Sequence, residues 1–255
     1  MSAEMLKVSG LQMRFGGLLA VDGIEFDVRR DEVFAIIGPN GAGKTTVFNC
    51  VGGFYKPTAG EVMLDGHSIA RQPSHVVARH GLVRTFQNIR LFKQLTVVEN
   101  LMVAQHQQVK AGLLHGLLAT PAYRRAEREA LGRAAEWLER MGLTSVANRE
   151  AGTLSYGHQR RLEIARCMIT KPRLLMLDEP AAGLNPQEKI ELQQLIDRLR
   201  REFNISVLLI EHDMSLVMGV SDRILVMEHG KPIMVGKPEE VRNDPRVIKA
   251  YLGED

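Results

Sequence analysis

Apolar and polar positions change their period several times along this chain. In the first third, β-like runs at residues 6–8, 24–28 and 33–37 lead into a stretch rich in glycine. From Thr45 to residue 51 the spacing predicts a helix, which Gly52 and Gly53 end as glycine does past a helix C-terminus. Alternation returns at residues 61–64, with Asp65-Gly66 as the turn behind it. This third therefore mixes antiparallel-looking strands with a strand–loop–helix unit.

From about residue 73 to 154 the pattern becomes mainly α-helical. Thr96 and Glu99 have the spacing of a capping box. Residues 121–141 are rich in Ala, Arg and Glu at helical spacing. Between these helices, residues 111–119 (A-G-L-L-H-G-L-L-A) are apolar but broken by glycines. They form either a small exposed patch for a partner or a turn packed on its own subdomain. A basic helix is predicted from Ser155 toward Thr170, where the Arg160-Arg161 pair reads as a solvated face. After it come a strand at 174–177, a helix from Pro186 to about 201, and the nearly unbroken apolar run 205–210. Such a run fits a strand buried on both faces of a parallel sheet. Residues 224–227 and 232–235, joined through His229-Gly230, predict a closing hairpin. Strands separated by helices predict an α/β core, and no internal repeat is present.

Composition narrows this picture little. The 255 residues are 45% hydrophobic and 25% charged, close to the average for globular chains, and suit one compact domain. The net charge of +3 is spread along the chain, so no nucleic-acid footprint is required. The apolar runs fall short of the ~20 residues that span a bilayer, and the opening M-S-A-E-M-L-K-V lacks a signal peptide's apolar segment. A cytosolic location is expected. Cys50 and Cys167 then read as reduced core thiols.

Candidate chemistry lies in two constellations. Residues 38–45, G-P-N-G-A-G-K-T, fit G-x-x-x-x-G-K-[S/T] at every fixed position. The glycines Gly38, Gly41 and Gly43, with Pro39, Asn40 and Ala42 between them, let the backbone curl so that N–H groups face phosphate oxygens. The following helix adds the positive end of its dipole. Lys44 supplies a mobile charge for the β- and γ-phosphates and the Thr45 hydroxyl a ligand for Mg²⁺, with Thr46 beside it. The bland alternative is a glycine-rich turn followed by a chance Lys-Thr. In the second constellation, the apolar run 174–177 ends in Asp178-Glu179. Acids at a strand's carboxyl end sit where open α/β sheets bind ligands. Asp178 can bind Mg²⁺ and Glu179 can polarise a water; alternatively the pair only caps the next helix.

With Leu154-Ser155-Tyr156-Gly157-His158-Gln159 lying between them, these two motifs resemble Walker A and Walker B of the ABC transporter nucleotide-binding cassette, and the third its L-S-G-G-Q signature. The stretches R-F-G-G-L-L-A-V-D-G, V-R-T-F-Q-N-I-R-L-F, L-S-Y-G-H-Q-R-R-L-E-I-A-R and the closing Y-L-G-E narrow the likeness to the ATP-binding subunit of bacterial branched-chain amino acid importers. The resemblance implies a P-loop core with a mainly parallel sheet, at about 1–90 and 155–255, together with an antiparallel β subdomain. A helical subdomain would occupy about 91–154. It further implies Gln87 as a metal-touching, catalytic glutamine that opens the segment 88–100 coupling to a membrane partner, residues 182–185 as the D-loop and His212 as the switch histidine. Phe15 would stack on adenine, against the plainer reading of a core aromatic.

Two such cassettes, identical or related, would pair head to tail. Ser155 and Gly157 of each would close over ATP held by the other. Transmembrane permease subunits and, through them, a periplasmic or extracellular substrate-binding protein would complete the machine on the inner face of the bacterial plasma membrane. Tyr156 and His158 depart from the signature pattern, and His158 reads either as a source of pH dependence or as a solvated histidine. The rival classes are a soluble ABC ATPase acting on nucleic acid or ribosomes, whose usual duplicated cassettes, coiled coil or basic face are not seen, and a nucleotide kinase, which would share only the loop.

Overall fold

The computed structural model describes residues 4–105 and 121–252; the apolar stretch 111–119 lies outside them. Two compact units emerge, one made of residues 1–87 and 173–255, the other of 88–172.

In the first unit, the strands β1 (Glu4–Phe15) and β2 (Leu18–Arg29) form a long hairpin across Gly16-Gly17. β4 (Ala59–Leu64) and β5 (His67–Ser68) extend it into an antiparallel sheet of order β2-β1-β4-β5. The hairpin strands outrun their predicted 6–8 and 24–28 because register shifts between Val8 and Leu11 and between Leu11 and Met13 interrupt the alternation. Each bulge rotates the apolar positions to the other face, which erases the period-two signal.

The second sheet of this unit has the order β10-β9-β3-β8-β7-β6. Its members are β3 (Val33–Ile37), β6 (Leu82–Arg84), β7 (Leu174–Asp178), β8 (Ser206–Ile210), β9 (Arg223–Glu228) and β10 (Lys231–Gly236). All neighbours pair in parallel except β9 and β10, the predicted hairpin. Every residue of β3, β7 and β8 is buried, as their unbroken apolar runs require of strands covered on both faces. The stretch expected to be helical from residue 73 contains the helix Ser74–Arg79 but also β6, which belongs to this sheet. Three residues are too few to show a period, and pairing to β7 decides their conformation. The helix Lys44–Val51 contributes Val47, Phe48 and Val51 to a core shared with Phe34, Ile36, Leu208 and Leu225 of one sheet and Leu6, Leu11 and Val62 of the other. Because β3, β6, β7 and β8 run parallel, their carboxyl ends, carrying Gly38, Arg84, Asp178 and Glu211, open on one edge.

In the second unit the helices Val97–Ala104, Pro121–Arg140 and Tyr156–Met168 pack on one another. Thr96 and Glu99 make the expected capping box. The helix Tyr156–Met168 groups here rather than with the core, to which the sequence boundary at 154 assigns it; its buried Leu162, Ile164 and Ala165 supply the apolar face. Arg160 corrects a second expectation. Its side chain is 1% exposed, not solvated, because Glu163 one turn along neutralises it. Cys50 and Cys167 are free thiols, and burial pushes both up to about 12.

Candidate nucleotide site

The loop after β3 curls because its glycines allow what no other residue would. A Cβ at Gly38 would stand 2.1 Å from the Met227 carbonyl oxygen. Gly43, at φ +94°, caps the helix Lys44–Val51 in the left-handed region, and a Cβ there would lie 2.7 Å from the Ala20 carbonyl oxygen. Lys44 is 6% exposed and donates from Nζ to the carbonyl oxygens of Gly38 at 2.7 Å and Pro39 at 2.9 Å. Burial holds its ammonium below the ordinary lysine value, while the Glu179 charge works in the opposite direction.

A pocket of about 410 Å³ opens beside this loop. Residues 40–46 form its floor, residues 18–20 of β2 one wall, and Glu179, His212 and Gly230 another. Glu179 follows β7 in a left-handed conformation, φ +46°, which costs a non-glycine residue about 1–2 kcal/mol and recurs where function demands it. Both its oxygens are engaged: Oε2 accepts from Gln87 Nε2 at 2.8 Å, and Oε1 lies 2.6 Å from His212 Nε2. Four of the expected residues, Lys44, Glu179, Gln87 and His212, thus gather from the ends of β3, β7, β6 and β8.

Asp178 is 4% exposed at the end of β7 and faces Arg84. Phe15 does not line the pocket; it is 42% exposed and packs edge-on against Tyr55 with centroids 5.4 Å apart. Ser155 and Gly157 belong to the second unit, where the Ser155 hydroxyl caps the helix Tyr156–Met168 by accepting from the His158 N–H at 3.4 Å. His158 itself is half-buried. Among the described residues no cluster of His, Cys, Asp and Glu could hold a metal alone. The hydroxyl of Thr45 and the Asp178 carboxylate are hard oxygen donors of the type Mg²⁺ prefers, with phosphate oxygens as the usual remaining ligands.

Two side chains here escaped the sequence reading. Arg84 donates to Asp178 Oδ2 at 2.5 Å and Asn49 Oδ1 at 2.6 Å, with its guanidinium 5.4 Å from the rings of Phe48, Phe54 and Phe86. It ties the end of β7 to the helix behind the glycine loop. Glu211, 3% exposed, accepts from the backbone N–H groups of Ala181 at 2.6 Å, His212 at 2.8 Å and Asp213 at 3.1 Å. It fastens the segment after Glu179 to the segment carrying His212. Lys189 Nζ adds a bond to Asp213 at 2.6 Å.

Residues 21–182 match the family model described as ABC transporter, and residues 231–255 match that of the branched-chain amino acid ATP-binding cassette transporter. The high-affinity branched-chain amino acid transport ATP-binding protein BraF of Pseudomonas aeruginosa is 62% identical over 254 residues, covering 100% of both chains. Its counterparts named LivG in Salmonella typhimurium and Escherichia coli K12 are 62% and 61% identical over the same span. Among solved structures, the ADP conformation of MJ1267, an ATP-binding cassette of an ABC transporter, superposes with a TM-score of 0.86 at 32% identity, covering 99% of this chain and 100% of that one. A nucleotide-free cassette gives 0.85 at the same identity. Glycine loop, acidic strand end and end-to-end likeness agree: the chain belongs to the ABC transporter family, as an ATP-binding cassette of its branched-chain amino acid group.

Proposed function

We propose that the chain binds and hydrolyses ATP as the motor subunit of an importer for branched-chain amino acids, an amino acid translocase. The observation that carries this reading is the convergence of Lys44, Glu179 and His212 on one pocket floored by the glycine loop. Backbone N–H groups of residues 40–46 would receive the phosphates, and Lys44 would exchange the carbonyls of Gly38 and Pro39 for phosphate oxygens. Phosphate would add to the Glu179 charge a second counter-charge for that buried ammonium. Phe15 would offer its exposed ring to adenine.

Thr45, Asp178 and Gln87 would hold Mg²⁺, which when bound neutralises phosphate charge. Glu179 would take a proton from the attacking water as its oxygen bonds to the γ-phosphorus and the bond to the ADP oxygen breaks. His212 holds the second carboxylate oxygen and would steady the γ-phosphate. Two cassettes, alike or related, would share each ATP head to tail, the Ser155 hydroxyl and Gly157 N–H of one closing on the nucleotide of the other. The resulting motion would drive permease subunits on the inner face of the membrane, fed by a substrate-binding protein outside it, with no role for nucleic acid. No helix among the described residues is long and apolar enough to cross a bilayer. Uptake of labelled leucine by a strain lacking the subunit tests this: the intact chain should restore it and Glu179→Gln should not. Restoration by both, or by neither, would refute the assignment.

A further inference from the structure

The helix that carries the signature motif also buries an ionic pair that none of these steps uses. Arg160 donates to Glu163 Oε2 at 2.6 Å, with side chains 1% and 5% exposed. Arg160 also donates to the Tyr156 hydroxyl at 3.2 Å, its guanidinium 5.8 Å from that ring. The other Glu163 oxygen accepts from the Arg90 backbone N–H at 3.3 Å. Arg166, further along the same helix face, donates to the Arg90 carbonyl and sits 5.1 Å from the Phe92 ring. Both backbone groups of Arg90 are therefore held by this helix.

A buried pair of this kind is poor value as a source of stability, since desolvation offsets its attraction and apolar residues of similar size do as well or better. What it supplies is a fixed geometry between the groups it touches. Those groups are the side chain between Ser155 and Gly157, which stands where the resembled signature has a glycine, and the backbone just past Gln87. A glycine at 156 would take from Arg160 the hydroxyl and the ring, and with them its link to the turn.

We propose that Tyr156, Arg160 and Glu163 are positioning residues that form a relay, so that whatever grips the Ser155–Gly157 turn shifts the backbone at Arg90. This rests on the shared-ATP reading, in which the turn closes on the partner's nucleotide and the segment past Gln87 meets the permease. The relay makes closure at one end felt at the other without passing through the nucleotide pocket of the same chain.

Amide hydrogen exchange of the full chain in a Glu179→Gln background, with and without MgATP, tests it. ATP should slow exchange at 155–160 and also at 88–92, the latter by about tenfold, the scale of protection given by a hydrogen bond to a charged acceptor. In R160M/E163L the slowing at 155–160 should persist while that at 88–92 falls below about twofold. That variant should stay folded and melt close to its parent, because the two buried charges leave together. Tyr156→Gly, a change at an exposed position, should have the same selective effect at 88–92. Undiminished slowing at 88–92 in both variants would overturn the relay. So would its absence in the parent background while 155–160 responds. No ATP response at either segment would instead overturn the shared-ATP reading, and the relay with it.

Discussion

Replacing Arg84 by methionine should expose how strongly the acidic strand end depends on its counter-ion. Arg84 and Asp178 have side chains 6% exposed and meet at 2.5 Å, so removing the guanidinium leaves a carboxylate charged and nearly dry. Breaking one side of such a pair costs about 3–5 kcal/mol, and the lost bond to Asn49 at 2.6 Å adds about 1. Methionine is unbranched and soft enough to fill the space among Phe48, Phe54 and Phe86, which returns part of the loss. A net destabilisation of about 3 kcal/mol follows. At roughly 2–4 °C per kcal/mol for a chain of this size, the melting temperature followed by far-UV circular dichroism should fall on the order of 10 °C. Adding Asp178→Asn to Arg84→Met should recover part of the loss, since neither charge is then alone. A single variant melting within about 2 °C of the parent, or a double variant melting lower than the single one, would refute the reasoning.

Lys44→Met should abolish ATP binding yet raise the melting temperature of the protein without nucleotide, because it removes a buried charge. Folding depresses the Lys44 pKa, so the unfolded chain binds the extra proton in the window between that value and the ordinary 10.5. The destabilisation is complete below the window and fades as pH rises through it; the gain from Lys44→Met should therefore be present at neutral pH and shrink toward pH 10.5 in a pH series of melts. Gly43→Ala must hold a left-handed φ of +94° with its methyl 2.7 Å from the Ala20 carbonyl oxygen. That strain of about 1–2 kcal/mol or more should weaken binding of a fluorescent ATP analogue at least about tenfold. Glu211→Gln turns an amide donor onto backbone N–H groups now held at 2.6–3.1 Å. Phosphate release should fall by about 10- to 100-fold, matching a loss of about 1–3 kcal/mol, while ATP affinity stays within about twofold.

What the sequence made legible is whatever its own neighbours determine. The glycine loop, the buried runs of β3, β7 and β8 and the capping pair Thr96/Glu99 each involve residues close in the chain, so spacing reveals them. Arg84 and Glu211 stayed hidden because their partners Asp178 and Ala181 are 94 and 30 residues away. Only the sheet, by aligning strand ends, brings them together. Arg160 was misread since helical spacing alone does not say which of two adjacent arginines faces inward; Glu163 three residues on was the available clue. Bulges in the long hairpin of β1 and β2 broke its alternation, so spacing revealed only residues 6–8 and 24–28 of it. Phe15, which the sequence singled out, packs edge-on against Tyr55 and keeps its ring largely exposed rather than in the core.

Sedimentation of Glu179→Gln with and without MgATP bears most directly on the central claim, that a nucleotide held by the loop of one copy is closed over by the Ser155–Gly157 turn of another. The variant alone, or with its companion cassette, should sediment as single cassettes without ATP and as pairs with it, and Lys44→Ala should abolish the pairing. Single cassettes at saturating MgATP would contradict the account.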